Sequence, residues 1–147
     1  MKNKGFSLIE LIVVIAIMAI LVGALAPALI KYINKSRLSM DIDVGRKLAT
    51  AISAAVTDEE FHDDAVEHSS PYAVNDMDGN DFKGEVFSTF GVTSLQGKSK
   101  KDAQGDLLPS QSFYYTLDAD RNKVEIFYGG VTADYQIYPV LGSELSY

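Results

Sequence analysis

Hydrophobic and polar positions divide the chain into stretches of different period. From Leu11 to Ile30, twenty consecutive residues carry no charge and are mostly Leu, Ile, Val and Ala. At about 1.5 Å per residue, a helix of that length spans roughly 30 Å, the thickness of a bilayer's hydrocarbon core. Beyond it the apolar positions thin to a stripe. Leu38, Ile42, Gly45, Ala49, Ile52 and Val56 are separated by 4, 3, 4, 3 and 4 residues, which is one face of a helix. Lys35, Arg37, Asp41, Asp43, Arg46 and Lys47 fall mostly off that face. A single helix from Phe6 to about Val56 would be about 75 Å long. The small residues Gly45, Ala49, Ala51, Ala54 and Ala55 predict close approach of a sheet to its second half. Pro27 interrupts the pattern: its ring opposes the carbonyl of Gly23 and it offers no N–H. The stretch from Gly23 to Pro27 is therefore the expected place of a kink or local melting.

The rest of the chain reads as a small mixed domain. Thr57-Asp58-Glu59-Glu60 has the capping-box pattern and predicts a second, short helix running through His68, ended by Ser69-Ser70-Pro71. Residues Gln96 to Asp106 are polar and read as a mobile surface loop. From Ser112 the period becomes two. Ser112–Asp118 and Lys123–Tyr128 flank Ala119-Asp120-Arg121-Asn122 as a hairpin, and Gly129-Gly130 leads to a further strand over Tyr135–Val140. The predicted fold is α+β: a long N-terminal helix packed on a small antiparallel sheet of about three strands.

Charge and composition narrow the possible functions. There are 13 Lys+Arg against 20 Asp+Glu, a net of −7, which argues against a nucleic-acid binder. The asymmetry is sharper in residues 48–147, where six Lys/Arg face seventeen Asp/Glu, a net of −11. Such a domain is well solvated and has no attraction to anionic lipid. Lys2 and Lys4 precede the apolar run and Lys31, Lys35 and Arg37 follow it, so flanking charge does not orient it. The absence of cysteine excludes disulfides, thiolate zinc sites and thiol catalysis.

Candidate chemistry is sparse. His62, Asp63, Asp64, Glu67 and His68 contain i,i+4 pairs, but the two histidines lie six apart on different faces, so a solvated acidic helix is the better reading. Asn75 to Asp81 is dense in oxygen ligands, and Asp76, Asp78, Asn80 and Asp81 are its calcium candidates. It lacks the spacing and distal Glu of an EF-hand, and a plain Asp-Gly turn is the better reading. Asp118, Asp120 and Asn122 are likewise turn chemistry. There is no phosphate loop, nucleophile elbow or H-E-x-x-H. No enzyme and no cofactor are expected.

Three readings compete for the N-terminus. A cleaved secretory signal would use Ala24-Leu25-Ala26, but Pro27 follows that site and the apolar run continues through it. A plain signal anchor leaves Glu10 unexplained, a costly carboxylate at the start of the apolar run. The third takes Lys4-Gly5-Phe6-Ser7-Leu8-Ile9-Glu10 as a unit: a short basic leader ending in Gly, then Phe, then a carboxylate four residues on, then an apolar run. Here the sequence resembles the type IV pilin family, pilins and pseudopilins together, over its first 55 residues or so.

The resemblance implies that residues 1–5 are a leader, residues 6–30 a transmembrane and assembly helix, and residues 31–147 an amphipathic spine with a soluble globular head. It implies cleavage between Gly5 and Phe6 by a membrane-embedded prepilin peptidase and methylation of the new Phe6 amine. Gly5 suits such a cut because its backbone can enter a protease cleft closely. Glu10 would sit in the first helical turn, at the positive end of the macrodipole, and in a filament would pair with a neighbouring Phe6 amine. Local unwinding near Pro27 inside the fibre is also implied. The expected partners are further copies of the chain, the peptidase, an inner-membrane assembly platform and the membrane itself. The expected location is the cell membrane before assembly and an extracellular pilus afterwards, serving adhesion, surface motility or biofilm formation. A pseudopilin of a type II secretion or DNA-uptake machine is the alternative, and a monomeric signal-anchored binding domain the third. The lack of a C-terminal disulfide departs from many Gram-negative pilins and hints at a Gram-positive or low-oxygen source.

Overall fold

The computed structural model describes residues 5–63, 65–120 and 123–146. The chain divides into two compact units, residues 1–33 and 34–147. Helix α1, Leu8–Thr57, begins in the first and runs on into the second. In residues 6–33 every large apolar side chain of α1 is exposed, and the helix is long and apolar enough to cross a membrane. The helix assignment is continuous through Gly23 and Pro27. A Cβ at Gly23 would meet nothing within 4 Å, so nothing packed nearby requires glycine there.

In the second unit α1 is the spine of an α+β domain. All six residues of the predicted stripe are buried, joined by Asp41, Leu48, Ala51 and Ala55. The small residues do what their size allows: a side chain at Gly45 would overlap the Ile137 side chain on the last strand, which packs directly on the helix there. The sheet has four antiparallel strands in the order β1 (His68–Ala73), β2 (Phe113–Leu117), β3 (Val124–Tyr128) and β4 (Gln136–Tyr138). Phe113, Tyr115 and Leu117 alternate inward on β2 and pair with Tyr128, Ile126 and Val124. The β2–β3 hairpin closes where the Lys123 N–H donates to the Asp118 carboxylate at 2.8 Å. Two residues of the expected turn, Arg121 and Asn122, lie outside the described residues.

Two local expectations are corrected, and one stretch without an assigned element proves helical. The helix after α1 is α2, only Glu59–His62, capped by Asp58 accepting from the Glu60 N–H at 3.0 Å. His68 begins β1 instead of ending that helix, so the sheet gains a fourth strand. Pro71 is tolerated within β1 because this is an edge strand with no second neighbour to bond. Residues 80–88, to which the sequence assigned no element, form α3 (Asn80–Ser88), which is preceded by a 3₁₀ turn over Val74–Asp76. Gly79, at φ 81°, makes the entry to α3, a conformation few other residues adopt without strain. Finally, the segment 96–106 is anchored: Gly97, Ser99 and Asp102 are buried. Gly97 packs so tightly against Tyr128 that any side chain there would overlap the ring.

Candidate functional site

Residues 5–14 form the N-terminal site. Ser7 precedes the first helical residue, Leu8, and its carbonyl accepts from the Leu11 N–H at 3.3 Å. The Ser7 N–H donates to Glu10 Oε2 at 2.9 Å. This is the returning arm of a capping box, Ser-x-x-Glu, in which the third residue of the helix satisfies the backbone donor of the cap. Glu10 thus has a local task beyond its placement near the positive end of the helix. Sequence reasoning used the dipole and missed the cap, although the Ser7-to-Glu10 spacing carries that signal.

Around this turn Phe6, Ile9, Glu10, Val13 and Val14 line a shallow, mostly apolar groove. Phe6 is 83% exposed. A Cβ at Gly5 would meet nothing within 4 Å, so packing within the chain does not require glycine there. The Gly5–Phe6 bond lies before the helix, in backbone without secondary structure. Lys2 and Lys4 lie outside the described residues. The arrangement offers an accessible peptide bond, a large exposed aromatic and one oriented carboxylate at the head of an unpartnered apolar helix.

The calcium candidates fall on different elements. Asp76 ends the 3₁₀ turn and Asn80 and Asp81 open α3, while Asp78 Oδ2 lies 3.4 Å from His68 Nε2. Among the described residues no three His, Asp or Glu side chains gather as a metal site needs. The earlier candidates His62 to His68 are divided between α2 and β1, and Asp64 lies outside the described residues. His68 instead stacks on Tyr72 with ring centroids 4.1 Å apart and meets Tyr115 edge-on. Burial, followed by the nearby Asp78 carboxylate and Tyr72, pushes the Tyr115 phenol well above its usual range.

One buried polar centre had no sequence signal. Asp41, expected among the polar residues off the helix stripe, is 3% exposed. Its carboxylate accepts from the Lys98 N–H at 2.9 and 3.0 Å and from the Ser99 N–H at 2.6 Å. Tyr128 donates to the Ser99 carbonyl at 2.6 Å, and its phenol is pushed upward by burial and then by Asp41. This centre ties the 96–106 segment to the spine.

No solved structure matches the chain. Residues 1–26 match the family model described as the prokaryotic N-terminal methylation motif. The motif implies processing by prepilin peptidase and assembly into a pilus-like polymer, and together with the apolar helix it suggests membrane anchoring before assembly. It is the type IV prepilin-like signature, and it supports a protein of the type IV pilin-like or pseudopilin kind.

Proposed function

We propose that the chain is the structural subunit of an extracellular type IV pilus, with no enzymatic role. The observation that carries this reading is the conjunction at the N-terminus: a methylation motif directly continuous with an apolar helix whose side chains are exposed from Phe6 to Ile33. That surface must be covered by lipid or by copies of itself. Cleavage between Gly5 and Phe6 supplies a new amine, which is then methylated. In the filament the amine of one copy pairs with Glu10 of another, because an unpaired carboxylate in a water-poor core costs several kcal/mol. Besides its own copies, the subunit engages the peptidase, an inner-membrane assembly platform and, before assembly, the membrane. The filament serves adhesion, surface motility or biofilm formation.

Electron microscopy of producing cells and of a deletion strain tests this reading, together with the intact mass of the purified protein. Surface filaments lost on deletion, with a mass lacking residues 1–5 and carrying one methyl group, are expected. A processed mass without surface filaments would point to the short fibre of a pseudopilin. Retention of residues 1–5 would point to a monomeric signal-anchored domain.

A further inference from the structure

Exposed cations cluster where residues 34–147 begin, and exposed acids cluster just after the end of α1. Where this unit begins, Lys35 and Arg37 are exposed on the helix. The segment fastened to Asp41 adds exposed Lys98 and Lys100 at the same level, with Lys101 beside them donating to the Gly105 carbonyl at 2.8 Å. Residues 98–101 hold three of the six cations in residues 48–147, so this is a local concentration within an acidic domain. Acids lie nearby as well: Asp41 is buried under backbone N–H groups, Asp102 accepts from the Gly105 and Asp106 N–H groups, and Asp43 and Asp106 are exposed.

The other end has the opposite sign. Asp58 follows Asp41 by seventeen residues, about 25 Å along a helix axis, and it opens a segment in which Asp58, Glu59, Glu60, Asp63 and Glu67 are all exposed. No Lys or Arg occurs between Thr57 and Glu67. Two copies placed level would set like charge against like, and the net charge of −11 in residues 48–147 adds to their repulsion. Two copies offset along the helix direction would set the basic end of one against the acidic end of the next. Such a contact joins two different patches, so it repeats without closing.

We propose that Lys98 and Lys100, with Lys35 and Arg37, form a docking surface for the Asp58–Glu67 segment of a second copy of this chain, and that this pairing sets the axial offset between copies. The inference rests on the polymer reading above, to which it adds a contact between heads.

The test uses the full chain in cells carrying its processing and assembly machinery, with sheared filaments quantified. K98E/K100E makes the basic end more negative by four charges, and E59K/E60K makes the acidic end more positive by four. Each alone should lower filament yield roughly tenfold, as like-charge contacts do. Two restorations should follow: the four substitutions combined in one chain, and co-expression of the two double variants, which can alternate with opposite charges in contact. K98Q/K100Q should show a smaller loss in the same direction, with an unchanged melting transition of the detergent-purified protein. Normal filament yield from both reversed variants, or failure of both restorations, overturns this contact and leaves the polymer reading standing. Absence of filaments from the unsubstituted chain overturns the polymer reading and this contact with it.

Discussion

Asp41 and Ser99 are 58 residues apart in sequence, yet the Ser99 N–H lies 2.6 Å from the Asp41 carboxylate in a buried hydrogen bond. With the Lys98 N–H on the same carboxylate, one side chain of the spine ties down a polar segment that Tyr128 also holds through the Ser99 carbonyl. Asp41→Ala should orphan two backbone donors and destabilise residues 34–147 by about 3 kcal/mol. Asp41→Asn should lose less, since one oxygen acceptor remains. Chemical denaturation of both variants checks this, and an Ala variant as stable as the unsubstituted chain would show that the carboxylate is dispensable.

Gly45 sits where helix and sheet touch, with no room for a side chain beside Ile137. Gly45→Val should force the two apart and cost about 1–3 kcal/mol, the usual range for overpacking. Shortening the neighbour should relieve it: Gly45→Val with Ile137→Ala is expected to be more stable than the sum of the two single changes. A double-mutant cycle on denaturation midpoints measures the coupling, and strict additivity would show that the residues do not meet.

Glu144 is held above the usual carboxylate range, first by burial, then by a hydrogen bond with Asp102 and by the surrounding acids. A carboxyl with a raised folded pKa contributes stability that is fully present below its unfolded value, about 4.3. That contribution is lost as pH rises through the folded value. Glu144→Gln removes the titration, so it should match the parent in acid and exceed it at neutral pH. Thermal melts at several pH values decide the matter, and parallel pH profiles for the two proteins would be the contrary result.

Gly5 is unconstrained by packing within the chain, so substituting it should leave the fold untouched. Gly5→Val should nevertheless leave uncleaved precursor in the membrane, because a β-branched residue cannot bring its backbone as close to a protease cleft. Immunoblotting separates precursor from processed chain, and processing at the normal rate would remove the peptidase assignment.

Glu10→Ala and Glu10→Gln should both be cleaved normally and accumulate in the membrane while filaments fall sharply. Gln can still accept from the Ser7 N–H, so it isolates charge from capping. If Gln makes filaments and Ala does not, the cap is the important role; if both do, Glu10 is an interfacial residue only.

The parts legible in the sequence were those whose period is set by one neighbouring surface. The Leu38–Val56 stripe showed itself because every member meets the same core, and β2 and β3 because Phe113, Tyr115 and Leu117 alternate cleanly against Val124, Ile126 and Tyr128. Strand β1 was hidden because Ser69-Ser70-Pro71 has turn composition and becomes a strand only by pairing with β2. The order of residues 96–106 was hidden for a similar reason: it comes from Asp41 and from Tyr128, both distant in sequence. At the N-terminus the residue identities were readable, and the Ser7-to-Glu10 spacing carried a capping signal that the dipole argument passed over.

The bond between Ser7 and Glu10 has a thermodynamic meaning. A glutamate on a helix surface ordinarily samples many rotamers, and any partner must halt that motion at a cost in entropy. Glu10, tethered through Oε2 to the Ser7 N–H, has already surrendered most of it. An incoming cation therefore meets an aimed carboxylate, and more of the attraction survives as binding. The first turn of the helix acts as a sight fixed before the target arrives.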